Sequence, residues 1–142
     1  MFIQSADFDL EKPPQNGLYS ITQQTLPFLV ACAHHWKLQV HQLDVSSCYN
    51  KSTLLFSLRH QLHMHNTLVH NWDGLLDVLR HLGSWKGRAA SHNYKGDALF
   101  FSGLHVLSQK APAETSMLEE ILATALKSSA DLQRAFVIFS VG

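Results

Sequence analysis

The sequence predicts an α/β fold in which a small parallel β-sheet is packed with α-helices, and three observations lead there. Leucine-rich segments with helical spacing alternate with short apolar β-forming segments through most of the chain. The segment "AFVIFSV" is apolar almost without interruption, the pattern of a strand covered on both faces in a parallel sheet. The connections between strand segments are long enough for the right-handed crossovers that parallel pairing requires. With 142 residues, 46% of them hydrophobic, the chain can bury one sizeable core and is short for two, so a single domain spanning residues 1–142 is expected.

Residues 1–16 contain "EKPPQNG" and read as an irregular arm that ends in a turn. "GLYSI" follows as a short strand, and "TLPFLVACAHHW" as a helix with Thr25 near its cap and Pro27 tolerated in its first turn. "KLQVHQLDV" reads as a strand whose alternation shifts phase between Val40 and Leu43. In "NKSTLLFSLRHQLHMH", Leu54, Leu55, Leu58 and Leu62 recur at helical spacing behind an Asn50 cap. A further helix runs from Trp72 to about Leu82, between the cap residue Asn71 and Gly83.

Residues 83–97, "GSWKGRAASHNYKGD", are polar and glycine-rich and read as a long loop. "ALFFSG" is then a strand and "LHVLSQKAP" a helical turn or two. "TSMLEEILATALKSS" places Ser116 three residues before Glu119, a capping-box pattern, with Met117, Leu118, Ile121, Leu122 and Ala125 as its apolar stripe. "AFVIFSV" closes the series.

Charge and composition narrow the function classes. Eleven Lys and Arg balance eleven Asp and Glu, so no global field gathers the chain onto nucleic acid or an anionic membrane. A charged partner must be recognised through a local patch. Cys32 and Cys48 are too few for a disulfide framework, which favours a reduced compartment. "MFIQSADFDLEKPPQ" lacks the pattern of a secretory signal, and no apolar run approaches the roughly 20 residues of a transmembrane helix. A soluble, cytoplasmic protein is the expectation.

The helix from Trp72 carries the most informative pattern. At 100° per residue from Asp73, Leu75, Val78, Leu79 and Leu82 cluster between about 140° and 240°, while Asp77 falls at about 40°. Both carboxylates therefore point away from the buried stripe. A solvated face accounts for this, with Asp73 near the positive helix N-terminus and Asp77 within reach of an arginine. It does not account for Leu76, which falls at about 300° on the exposed side, nor for Leu68 and Val69 in the preceding "NTLVH". Exposed apolar residues beside paired charges have the composition of an interface.

"NWDGLLDVLRHL" resembles the segment N-[WL]-D-A-L-x-D-C-L of the barstar family, in which an Asn-capped helix bears two aspartates at this spacing. The likeness extends to the neighbours: a strand ending "LDV", a leucine-rich helix, the strand "ALFF", another helix and the terminal "AFVIFS". It covers about residues 38–141, with residues 17–36 as an N-terminal strand-helix addition. The resemblance implies three family strands, to which "GLYSI" adds one, and an inhibitor rather than an enzyme, with no cofactor. Its implied partner is a ribonuclease or related antibacterial toxin. By position, the resemblance makes Asp73 and Asp77 the carboxylates that enter a basic cleft and Asn71 their cap. Thr67, Leu68, Val69 and His70 fall in the contacting loop, and Trp72 and Leu76 supply apolar contact or support. The family has an aromatic pair and a glycine where this chain has Thr67, Leu68 and Val69, and a tryptophan at Leu76. Family members also carry a binding acid on the last helix, where this chain offers only Asp131 nearby, and barstar is acidic where this chain is neutral.

Other constellations carry less. His60, His63 and His65 in "RHQLHMH" lack a carboxylate or cysteine that would complete a metal set, so no metal is expected. Cys48 in "DVSSCYN" lacks the surroundings of a nucleophile, and "GSWKGR" lacks the spacing of a phosphate loop. "WKGRAASHNYK" mixes Lys86, Arg88 and Lys95 with Trp85 and Tyr94 but offers few cations for nucleic acid. The competing functions are an interaction module for a non-nuclease partner and a histidine-based metal-dependent hydrolase.

Overall fold

The computed structural model describes residues 11–62, 71–80 and 94–142, together with the backbone of residues 3–4. In chain order the elements are β1 (Ile3–Gln4), β2 (Gly17–Ile21), α1 (Leu26–His35), β3 (Leu38–Asp44), α2 (Lys51–Gln61), α3 (Trp72–Arg80), β4 (Gly96–Ser102), α4 (Leu104–Lys110), α5 (Pro112–Asp131) and β5 (Ala135–Val141). The strands form one sheet in the order β1-β2-β5-β4-β3, with every pairing parallel. The class predicted from sequence is the class observed.

Successive side chains of a strand point to opposite faces, so β4 and β5 feed two cores. Leu99, Phe101, Phe136 and Ile138 pack with the buried leucines of α2, α3, α4 and α5. Ala98, Phe100, Val137, Phe139 and Val141 pack instead with Leu29, Cys32, Ala33 and Trp36 of α1 and the turn after it. Phe100 and Phe139 stack at 4.8 Å between centroids, within the range of favourable offset aromatic pairs. The uninterrupted apolar run of β5 is thus explained, because the strand lies between β2 and β4 with helices on both sides. The phase shift in β3 has the same origin: Leu38 and Val40 face the α1 layer, whereas Leu43 joins the opposite core.

Local chemistry sets most element ends. Asn50 Oδ1 accepts a hydrogen bond from Thr53 N at 2.9 Å and Thr53 Oγ1 accepts one from Asn50 N at 3.1 Å, a reciprocal capping box at the start of α2. At its other end Gln61 turns its amide onto β3, where Oε1 accepts from Asp44 N at 2.7 Å and Nε2 donates to Asp44 O at 2.8 Å.

Several expectations need correction. The arm is not wholly irregular, since Ile3–Gln4 pairs in parallel with Tyr19 and Ser20. The segment read as a loop over 83–97 gives up Gly96 and Asp97 to β4, where they pair with Ala135 and Phe136 of β5; the remainder up to residue 93 lies outside the described residues. Ser116 is not a cap, because α5 starts at Pro112, whose fixed φ and missing N–H suit a first helical turn. Thr115 and Ser129 join Leu118, Ile121, Leu122 and Ala125 on the buried side, and Met117 is exposed.

Gly103, between β4 and α4, has φ 85, and a Cβ built there would lie 2.6 Å from the Ser46 Cβ. Left-handed backbone and close approach together require glycine here. Gly103→Ala is expected to lower stability by about 1–3 kcal/mol in urea titrations, from the left-handed conformation and the overpacking combined.

Candidate partner-binding site

The site is built on α3, a helix of nine residues. Asn71 Oδ1 accepts a hydrogen bond from Gly74 N at 2.7 Å, so the predicted cap is made. Leu75, Val78 and Leu79 are buried in the larger core and fix the helix to the fold. At its C-terminal end Arg80 Nε donates to Ser128 Oγ of α5 at 3.0 Å. Asn71→Ala removes the cap while leaving the core untouched, and is expected to cost about 1 kcal/mol in thermal or urea unfolding.

A short helix held at its start, its underside and its end is a rigid platform for what it carries. Asp73 and Asp77 are both exposed on it, on the side the sequence periodicity predicts. Asp73 stands in the first turn, where the helix N-terminus favours negative charge. Trp72 and Leu76 are half-buried and pack against the core. Leu76 is thus not on the open surface as the angular placement suggested. At about 300° it flanks the buried stripe closely enough to be drawn under neighbouring side chains. Thr67, Leu68, Val69 and His70 lie outside the described residues, as do His63, His65, Lys86 and Arg88. Asp131 is exposed at the end of α5.

One polar cluster escaped the sequence reading. Asp97 on β4 is 1% exposed; its Oδ1 lies 2.9 Å from His41 Nε2 on β3, and its Oδ2 accepts from Arg134 just before β5 at 2.6 Å. Burial pushes the Asp97 carboxyl up, but hydrogen bonding and charge attraction from His41, and then from Arg134, outweigh it and hold the group below the ordinary carboxylate range. The trio ties the middle of β3 to the N-terminal ends of β4 and β5. The available signal was phase: Asp97 alternates with Leu99 and Phe101 and so had to point inward.

The remaining candidates do not assemble into a reactive centre among the described residues. No group of three or more His, Cys, Asp or Glu is arranged there to hold a metal ion. Cys48 is buried; its thiol donates to Thr53 O at 3.7 Å, and burial raises its pKa. No helix of the described residues is long and apolar enough to cross a membrane.

Comparison with curated proteins and with solved structures gives no match. A family model described as "Barstar (barnase inhibitor)" does match, over residues 38–141, a span that takes in β3 through β5 and the whole of α3. That span is well over half of the chain and holds the capped acidic helix in its place between α2 and β4, so the chain belongs to the barstar family.

Proposed function

We propose that this chain is an inhibitor or immunity protein that blocks the basic active-site cleft of a ribonuclease or a related antibacterial toxin. The observation that carries the reading is the pair of exposed aspartates one turn apart on a capped helix anchored at both ends. A ribonuclease cleft is lined with cations that grip phosphates. Carboxylates held at fixed spacing can accept charge-assisted hydrogen bonds from those cations while offering no bond to cleave. Asp73 and Asp77 are the phosphate mimics, and Asn71 sets the start of the helix that presents them. Trp72 and Leu76 brace it from below and border the contact. For Thr67, Leu68, Val69 and His70, a part in partner contact rests on the family resemblance alone. In this role the chain is not an enzyme, needs no cofactor and acts inside the producing cell.

The test titrates purified chain into barnase, and into the product of the adjoining reading frame, while RNA cleavage is followed. Stoichiometric loss of cleavage is expected for the cognate nuclease. Salt should weaken binding chiefly through the local ion pairs, with a shallower fall in association rate than for a strongly acidic inhibitor, because this chain has no net charge. A complex that leaves cleavage unimpaired at saturation would instead favour an interaction module with another purpose.

A further inference from the structure

We infer that the outward flank of α2 is a second docking surface for the same nuclease, and that it receives a rim bearing carboxylates and apolar groups beside the cationic cleft. The inference rests on the inhibitor reading and extends its surface. Stable protein complexes bury roughly 800 Å² on each partner, with about 20–30 residues a side. α3 is nine residues long, with Leu75, Val78 and Leu79 turned inward and Trp72 and Leu76 half-buried. Its outer face is too small to hold a partner by itself, so neighbouring elements must contribute.

α2 is the neighbour placed to do so. With Leu54 as zero, its buried leucines span about 0–100°, Gln61 falls at about 340°, Arg59 at about 140° and Phe56 at about 200°. Gln61 reaches the outer edge of β3 through Asp44, so the flank at Arg59 faces the other way, toward α3, which packs against both α2 and α5. On that flank Arg59 lies over the Phe56 ring at 5.3 Å from its centroid. Phe56 is 62% exposed, and Tyr49, just before the Asn50 cap, is 61% exposed. Both rings are largely exposed, and the cation–π contact keeps the guanidinium beside the Phe56 face.

The chemistry of this flank differs from that of α3. α2 contains no acidic residue, and Lys51, Arg59 and His60 are its charged or titratable groups. Tyr, Phe and Arg are the residue types enriched where protein partners are gripped. An acidic helix beside an aromatic, cationic one calls for a partner with the reverse arrangement: cations within the cleft and carboxylates on the rim next to it.

The experiment uses the nuclease that the unsubstituted chain binds, barnase or the product of the adjoining reading frame, with Phe56→Ala, Arg59→Ala and Arg59→Glu compared by calorimetry and surface plasmon resonance. Phe56→Ala should raise Kd by about tenfold, and Arg59→Glu should raise it further while slowing association, all with unchanged melting temperatures. Parent-like Kd values for all three, alongside a loss of affinity in Asp73→Ala, would overturn the second surface and leave the inhibitor reading standing. Lost binding of a labelled single-stranded RNA with no change in nuclease affinity would also overturn it, by assigning the flank to nucleic acid. If the unsubstituted chain binds neither nuclease, both readings fall together.

Discussion

Asp73→Ala and Asp77→Ala should each weaken the nuclease complex by about 2–5 kcal/mol, a range to which barnase–barstar pairs themselves contribute. That is roughly thirtyfold to several thousandfold in Kd. The loss should appear chiefly as faster dissociation, because truncation leaves the cleft cations buried and unpaired. Both side chains are exposed, so the unfolding midpoint should move little. The double variant need not show the sum of the two, since the carboxylates sit one turn apart and address one cluster of cations. Surface plasmon resonance on the single and double variants, with circular dichroism melts beside them, separates recognition from folding. A doubly substituted chain that folds normally and still inhibits would exclude α3 as the inhibitory element.

Asp97→Ala should produce the largest loss of stability, about 3–5 kcal/mol, because removing one member of a buried ion pair strands the others. Arg134 and His41 both address this carboxylate, and Asp97 is almost completely enclosed. The effect has a pH signature. Because the folded carboxyl is held below its ordinary value, the contribution it makes is complete above the unfolded pKa of about 4. It is lost as pH falls through the lower, folded value. The gap between parent and variant should therefore be full at pH 6–7 and narrow under strong acid, as read from urea midpoints across the series. A gap that stayed constant into strong acid would show that Asp97 acts through packing rather than charge.

The fold was legible wherever periodicity and burial coincide. The leucines of α2, the stripe of α3 and the apolar run of β5 each identified an element and its buried side. The placement of Asp73 and Asp77 could be read for the same reason, since an isolated amphipathic helix has only one way to lie on a core. What could not be read were features decided by distant partners. The inward phase of Asp97 is legible beside Leu99 and Phe101, but its pairing with His41 and Arg134 is not, because they meet it only across the sheet. Leu76 looks exposed on a helical wheel and is half-covered because wheels ignore neighbouring elements. The start of α5 was displaced by a chance capping pattern at Ser116, when Pro112 and the adjoining end of α4 determine it. Helical spacing places Phe56 opposite the buried leucines of α2, but its stack with Arg59 is a side-chain pairing that spacing alone does not single out.

The strand order has a consequence for how the chain acquires its shape during synthesis. Among the described strands of the sheet β5 comes last in chain order, yet it is inserted between β2 and β4. A nascent chain that has completed β4 has β2 on one side and the β4-β3 pair on the other, with nothing to join them. Phe100 and the apolar side of α1 meanwhile lack Phe139 as a partner. The joining pairs link residues far apart in sequence, which slows folding. Such half-built chains expose strand edges and apolar surface, and invite association with one another. Closure of the sheet therefore waits on residues 135–141, and in the proposed inhibitor role α3 is presented on a complete fold only once that strand has been inserted.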